Sequence, residues 1–171
     1  MDETIVNIIH ASQDNAKGTL AFGSDHAGFE YKEFLKEVGR EWGYTLIDCG
    51  THSPLSVDYP DFIKPVVREV LAGATGILIC GSGIGMSIGA NRFQGIRAAL
   101  CCDSQMARLA REHNDANILV LGEKLIGKER AVACLEAFLG TPFQGGRHER
   151  RVDKLDQLGG QGSHSESSQY L

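Results

Sequence analysis

Short apolar runs recur along the chain, and each ends at a glycine or a cysteine. Because these runs are shorter than a core helix and consist mostly of apolar residues, they are typical of strands buried on both faces of a sheet. The pattern predicts five strands, at residues 19–23, 45–50, 76–80, 95–101 and 116–122.

Between these runs, apolar residues recur at helical spacing with charged residues between them. In the segment 24–44, Phe34, Leu35, Val38 and Trp42 follow Phe29 on one face. This spacing predicts an amphipathic helix of about four turns. Further helices are predicted at residues 62–71, 86–92, 104–113 and 128–140, with a short final helix at 147–158.

Local signals fix two of the helix starts and one loop. Pro65 is compatible with the helix at 62–71 only if it lies in the first turn. Asp103 and Ser104 are N-cap candidates for the following helix at 104–113. The segment 51–61 contains two prolines and is predicted to be a loop.

The alternation of strands and helices predicts the fold class. It indicates an α/β protein in which a five-stranded parallel sheet is covered by helices on both faces, a three-layer α/β/α sandwich of Rossmann-like type. We expect one domain at residues 19–158, a flexible leader at 1–18 and a disordered Gly/Ser-rich tail at 159–171. Such sheets bind ligands beyond the carboxyl ends of their strands, near a topological switch point.

Composition excludes several classes of protein. The net charge of −5 provides no basic field, which argues against bulk nucleic-acid binding. No apolar stretch approaches the length of a membrane helix, and the first residues lack the basic region of a secretory signal. The five cysteines show no paired spacing, so we expect a reduced, cytoplasmic protein.

The most informative segment follows the third predicted strand. Gly81, Gly83 and Gly85 alternate in a loop that leads into a helix, where glycines allow close approach of a ligand and free backbone N–H groups attract an anion. Cys80 ends the strand and faces this loop, a position in which the thiolate form is favoured. It is therefore a candidate nucleophile or base, and the alternative is an ordinary core cysteine.

A dinucleotide site is a competing interpretation of the same segment. Gly83, Gly85 and Gly89 resemble a loose Rossmann fingerprint, and Asp103 follows the next strand, where a ribose-binding acid is expected. However, the third glycine is one position late, and the loop follows the third strand rather than the first. We rank this interpretation below an anion site, and saturable NAD binding would support it.

Two histidines lie in contexts that suit catalysis. His26 follows the first strand, after Asp25, which is also a candidate helix cap. We expect His26 in the first turn of the helix, where it could contact an anion. His113, beside Asn114, is either a general acid or base or a charge partner of a helix C-terminus. The histidine spacing matches no metal motif.

A basic cluster lies near the end of the chain. Arg147 and Arg151 are four residues apart and are expected to share a helix face, with His148 beside them. This set suits a phosphate group. The alternative is a solvated helix whose local partners are Glu149 and Asp153. Together, the loop, the thiol, the histidines and the arginines indicate a small phosphorylated metabolite as ligand.

The motifs resemble those of the type B ribose-5-phosphate isomerases, a family that includes allose- and galactose-6-phosphate isomerases. The similar blocks, in order from about residue 20 to 155, are GSDHAGF, DCGTHSPLSVDYPDF, GILICGSGIGMSIGANRFQGIRAALC, REHNDANILVLGEK and GGRHERRV. The resemblance implies interconversion of ribose 5-phosphate and ribulose 5-phosphate through an enediolate, in the non-oxidative pentose phosphate pathway. It implies no metal or cofactor, no nucleic-acid or membrane partner, and a homodimer or dimer of dimers with shared active sites.

The resemblance also implies roles for matching residues. Cys80 matches the base that takes the proton beside the carbonyl, and Met86 stands where a cysteine-lacking branch has a glutamate base. Ser82 matches an assisting hydroxyl, and His113, with Asn114, matches the ring-opening group. The backbone from Gly81 through Gly83 to Gly85 would hold the enediolate oxygen. Asp25 and Tyr59 match the sugar site, and the phosphate set matches His26, Arg147, His148 and Arg151.

One departure from the family pattern concerns the phosphate set. Lys124 stands after the fifth strand, where family members commonly have arginine, so the charge is kept and the bidentate fork is lost. Two alternatives to the five-carbon isomerase stay open: an isomerase of a six-carbon sugar phosphate such as allose 6-phosphate, and a sugar-phosphate-binding regulator without catalysis.

Overall fold

The computed structural model describes residues 17–158. The predicted tail at 159–171 lies outside the described residues, as does the predicted leader apart from its last two residues. The five strands are β1 (Thr19–Ser24), β2 (Thr45–Asp48), β3 (Thr75–Cys80), β4 (Ala98–Leu100) and β5 (Ile118–Gly122). The helices are α1 (Phe29–Glu41), α2 (Ile63–Leu71), α3 (Ile84–Ala90), α4 (Ser104–Asn114), α5 (Lys128–Gly140) and α6 (Glu149–Gln157).

The strands form one parallel sheet in the order β2-β1-β3-β5-β4. The chain leaves β1 toward β2 on one side and then crosses to β3 on the other side. The carboxyl ends of β1 and β3 therefore flank the topological switch point, where open α/β sheets bind their ligands. Cys80 is the last residue of β3 and is in register with Gly122 at the end of β5.

Helices cover both faces of the sheet, which confirms the predicted α/β sandwich. One core cluster joins the sheet to α1, α4 and α5, through residues such as Leu35, Ala107 and Leu135. The other core cluster joins it to α2 and α3, through residues such as Val66 and Met86. None of the helices in the described part of the chain is both long and apolar enough to cross a membrane.

Two predicted strands are too long. β2 ends at Asp48 rather than at residue 50, and β4 begins at Ala98 rather than at residue 95. Before β4 the backbone is held by a side chain, because the Arg97 N–H donates to Asn117 Oδ1 over 2.8 Å. Asn91 exchanges two hydrogen bonds of 2.8 Å with the backbone of Ala98, and so covers the open edge of β4.

Several helix starts also differ from the prediction. α3 begins at Ile84, two residues early, because Gly83 adopts a left-handed φ of 76° and turns the chain directly into the helix. Part of the predicted loop at 51–61 is a 3-10 helix, Tyr59–Phe62. The final helix is divided into a 3-10 turn, Gly146–His148, and α6. Arg147 and Arg151 therefore do not share one α-helix, as the four-residue spacing predicted.

Other predicted helix signals are confirmed. Pro65 is the third residue of α2 and so lies in its first turn. Asp103 is the N-cap of α4, and its carboxylate accepts a 2.8 Å hydrogen bond from Met106 N–H. This contact assigns Asp103 a capping role and removes the acid that the dinucleotide interpretation needed.

Candidate active site

Cys80 lies at the centre of the switch point. Its side chain is buried, and Sγ accepts a 3.1 Å hydrogen bond from Gly83 N–H. A backbone donor aimed at sulfur stabilises the thiolate form, which is the reactive species. In the same loop, Ser82 Oγ accepts from Ile84 N–H over 3.3 Å, which leaves the hydroxyl proton for a ligand. Met86 is fully buried in the core.

The other buried thiols behave differently. Burial raises the pKa of Cys101 to about 12 and that of Cys134 to about 11. Both side chains pack in the core cluster under α4 and α5. They are therefore inert structural cysteines, as the ordinary interpretation of a cysteine predicts.

The loop after Cys80 is pressed against the end of β5. A Cβ placed on Gly122 would lie 2.5 Å from the carbonyl oxygen of Ser82, so only glycine allows this approach. Lys124 N–H donates to the Gly81 carbonyl oxygen over 2.9 Å. The Lys124 side chain passes Gly81, with Cε 3.6 Å from the position of a Cβ there. A lysine cation is thus placed next to the anion-binding loop.

Asp25 and His26 lie at the end of β1, beside Cys80. The buried Asp25 accepts a 2.9 Å hydrogen bond from Gly28 N–H through Oδ1, and this turn precedes α1. His26 lies in that turn and not in the first turn of the helix, as was predicted. Its Nδ1 lies 3.2 Å from Val57 N and 3.3 Å from Val57 O, and so the β2–α2 loop fixes the ring.

Tyr59 forms the wall opposite this turn. The ring lies over Gly85, where a Cβ would come within 2.6 Å of Tyr59 Cζ. The Tyr59 side chain remains partly exposed. Gly85 therefore has two functions, because it belongs to α3 and makes room for an aromatic ring beside the thiol.

A buried charge network supports the loop that holds His26 and Tyr59. Lys32 Nζ, with a side chain exposed 0%, lies 2.6 Å from Asp48 Oδ1, and Lys36 also binds this carboxylate. Gly50 N–H donates to Asp48 over 3.0 Å. Burial by itself would raise the pKa of Asp48, but the hydrogen bonds from both lysines and from Gly50 lower it to about 2.

A second cluster forms at the end of α4. The rings of His113 and His148 are stacked, with centroids 4.2 Å apart and planes 7° apart. His148 is buried, and Arg147 Nε lies 3.4 Å from His148 Nε2. Burial, followed by the charges of His113, Arg147 and Arg151, lowers the pKa of His148. Within residues 17–158 no carboxylate forms an ion pair with Arg147 or Arg151, so the local partners expected for a merely solvated helix are not engaged.

The two clusters lie at opposite edges of the sheet. Cys80 is at the carboxyl edge, whereas His113 ends a helix that runs back before β5 begins at Ile118. The five residues of β5 separate the edges by about 16 Å, at about 3.3 Å per residue. Asn114, Arg147, His148 and Arg151 share the amino edge with His113. One chain therefore does not bring its predicted catalytic residues together.

A cavity of about 510 Å³ also lies at the amino edge. It is lined by residues 91–99 and by Asn114 and Leu155, but not by Cys80. The thiol instead faces an open shelf at the carboxyl edge. A closed site around Cys80 therefore needs groups that its own chain does not place there.

Sequence reasoning missed three contributors. Lys32 occupies a place on the apolar stripe of α1, three residues before the buried Leu35, and this misplaced charge was the available signal. Gly122 was assigned only to the end of a strand. The role of Val57 comes from its backbone, and no sequence signal indicates it.

The switch-point crevice, the thiol and the flanking cationic side chains define an α/β protein that binds a small anionic ligand. A model of the family described as Ribose/Galactose Isomerase matches residues 20–155. The chain belongs to the ribose/galactose isomerase family, and its members of known structure share this fold.

Individual relatives are similar over most of their length. Ribose-5-phosphate isomerase B of Escherichia coli (strain K12) is 44% identical over 141 residues, which cover 81% of this chain and 95% of the relative. A crystal structure of a ribose 5-phosphate isomerase from Thermotoga maritima is 56% identical, with a TM-score of 0.80 and coverage of 82% of this chain and 98% of that one. Ribose-5-phosphate isomerase B from Mycoplasma genitalium, with bound ribulose-5-phosphate, is 33% identical with a TM-score of 0.80, covering 84% and 97%.

Proposed function

We propose that the protein interconverts D-ribose 5-phosphate and D-ribulose 5-phosphate through an enediolate, without a metal or other cofactor. The observation that supports this most directly is the Cys80 thiol, held at the switch point by Gly83 N–H in a chain of this family. Aldose–ketose isomerisation needs a base beside a carbonyl and a donor for the developing oxyanion. Cys80 and the loop that follows it provide both.

Ring opening comes first, because ribose 5-phosphate is mostly a closed furanose. His113, with Asn114 beside it, gives a proton to the ring oxygen, and the bond from that oxygen to C1 breaks. The O1 hydroxyl releases its proton to solvent as the aldehyde forms, and His113 regains a proton from solvent. An imidazole suits this exchange because it titrates near neutral pH.

Proton transfer between the two carbons follows. The Cys80 thiolate removes the proton from C2, and the electron pair moves to O1 to give the enediolate, which backbone N–H groups of the loop stabilise. The Ser82 hydroxyl moves a proton from O2 to O1. Cys80 then returns its proton to C1, and C2 becomes the ketone.

The remaining side chains hold the substrate. The second oxygen of Asp25 accepts a sugar hydroxyl, since Oδ1 is bound to Gly28 N–H. Tyr59 lines the sugar site. The phosphate is bound by His26 and Lys124, and by the arginines of the amino-edge cluster through charge-assisted hydrogen bonds.

The proposed active form is a homodimer, or a dimer of such dimers, in which the amino edge of one subunit meets the carboxyl edge of the other. The separation of Cys80 from His113 within one chain supports this arrangement. So does an apolar surface on α3, where Ile84 and Ile88 are four residues apart and are 53% and 62% exposed. Exposed apolar side chains next to an incomplete site are typical of an interface.

The five-carbon substrate is preferred over six-carbon alternatives. The relatives of known structure compared above are named as ribose 5-phosphate isomerases, and one holds ribulose-5-phosphate. We also propose a single isomerase domain at 19–158 and a cytoplasmic location. The location is supported by the five cysteines, none of which is in a disulfide.

The direct test is conversion of ribose 5-phosphate by the purified protein in excess chelator, beside the Cys80→Ala variant. We expect turnover by the wild type alone, with phosphate binding retained by the variant. Activity in the variant would remove Cys80 from the mechanism. Loss of wild-type activity in chelator would show that a metal is needed, and a higher rate with allose 6-phosphate would replace the proposed substrate.

A further inference from the structure

His148 was assigned by resemblance to the phosphate set, but its surroundings indicate a different role. The side chain is 6% exposed, whereas Arg147 and Arg151 on either side are exposed. A phosphate needs donors that reach solvent-accessible space. His148 instead packs face to face on His113, at a centroid separation of 4.2 Å.

The backbone is shaped to place this ring. Gly145 and Gly146 both have a positive φ, of 64° and 56°, in which glycine is favoured. No atom lies within 4 Å of a Cβ built at either position, so backbone conformation and not space requires glycine there. Gln144 N–H donates to the Glu112 carbonyl oxygen over 3.1 Å, which attaches the turn to the last turn of α4.

The hydrogen bond to His148 also restricts its protonation. Arg147 Nε donates, so His148 Nε2 accepts and has no proton. The lowered pKa of His148 agrees with a neutral ring. A neutral ring in a fixed stack is a rigid surface against which the second imidazole is held.

We propose that His148 is a positioning residue for His113, and that it acts by stacking rather than by binding phosphate. This inference rests on the proposed function, because His113 is the ring-opening group there. Stacking fixes the plane of the His113 ring and so directs its nitrogen toward the ring oxygen of a substrate bound by the neighbouring subunit. Ring opening depends on this orientation, whereas proton transfer at Cys80 does not.

The chemistry separates the two steps. Ribulose 5-phosphate is acyclic, because the oxygen that would close its furanose ring is phosphorylated. Exchange of its C1 proton with deuterium from solvent therefore needs Cys80 and no ring opening. Conversion of ribose 5-phosphate needs both steps. A residue that positions His113 affects conversion and leaves exchange unchanged.

The experiment compares His148→Ala with His148→Phe, which restores a flat ring without the nitrogens. For His148→Ala we expect kcat for ribose 5-phosphate to fall about tenfold, the scale of one lost aromatic stack, with KM and C1 exchange near the wild-type values. His148→Phe is expected to recover most of the lost kcat. A raised KM in both variants with kcat unchanged would identify a phosphate ligand and overturn the proposal. Equal losses of exchange and conversion would overturn it as well.

A second measurement decides the matter independently of turnover. The NMR signals of the His113 ring protons are shifted by the ring current of a stacked neighbour. We expect this shift in the wild type and in His148→Phe, and its loss in His148→Ala. If the wild type failed to isomerise ribose 5-phosphate, the proposed function would fail. An unchanged His113 signal in His148→Ala would show separately that His148 does not position it.

Discussion

The contact between Gly122 and Ser82 gives a sharp test of how the site is supported. In Gly122→Ala, the new methyl group would lie 2.5 Å from the Ser82 carbonyl oxygen and 2.7 Å from its carbon. Ordinary contacts are near 3.5 Å, so the loop after Cys80 must retreat by about 1 Å. Both partners are backbone, and no side-chain rotation relieves the overlap. We expect a loss of about 1–3 kcal/mol in unfolding free energy from overpacking.

Catalysis is expected to suffer more than stability. The retreat pulls on the hydrogen bond from Lys124 N–H to the Gly81 carbonyl oxygen and moves the loop donors away from the developing oxyanion. A displacement of this size lowers kcat by about a hundredfold. The matched control is Gly140→Ala, at the end of α5, where nothing lies within 4 Å of the new methyl group.

Urea unfolding and steady-state isomerisation measure the two effects. Gly140→Ala is expected to match the wild type in kcat and to be equally stable or more stable by up to about 1 kcal/mol, because alanine favours a helix. If Gly122→Ala proved as stable and as active as Gly140→Ala, the close approach of β5 to the catalytic loop would not matter for function.

Three further perturbations test other parts of the structure. Lys32→Met leaves the partly buried Asp48 without its principal partner, and we expect a loss of about 3 kcal/mol in urea unfolding; an unchanged midpoint would show that Lys36 alone suffices. The pKa of Asp48, about 2, lies below its unfolded value, so its stabilisation is complete above about pH 4 and is lost as pH falls toward 2. Thermal unfolding of Asp48→Asn should therefore show a shallower acid slope than the wild type, and equal slopes would contradict this assignment. Gly85→Ala pushes the Tyr59 ring outward, and we expect a higher KM with a smaller change in kcat; a KM equal to that of the wild type would place Tyr59 outside the sugar site.

Local patterns predicted the elements well because each depends on neighbouring residues. The apolar run 76–80 and the amphipathic segment around Leu35 correspond to β3 and α1. The strand order was not predictable in this way, since parallel pairing joins residues far apart in sequence. The early start of α3 was missed because it depends on the left-handed conformation of Gly83, which allows the helix to begin inside the glycine loop.

The site residues were named from motifs, but their division between two edges was not foreseen. A helix that follows a parallel strand returns to the amino edge, so the end of α4 could not lie beside Cys80. That signal was present in the predicted order of elements. The stack of His148 on His113 was out of reach, because it depends on a turn that reverses the chain after α5.

The central claim, a ribose 5-phosphate isomerase whose site is shared between subunits, is tested most directly by subunit complementation. Cys80→Ala and His113→Ala chains with different tags are co-expressed, and hybrid dimers are purified on both tags. A shared site gives each hybrid one intact site of two, so we expect about half of the wild-type rate in excess chelator, while each parent variant alone is inactive. Hybrids as inactive as their parents would contradict the account.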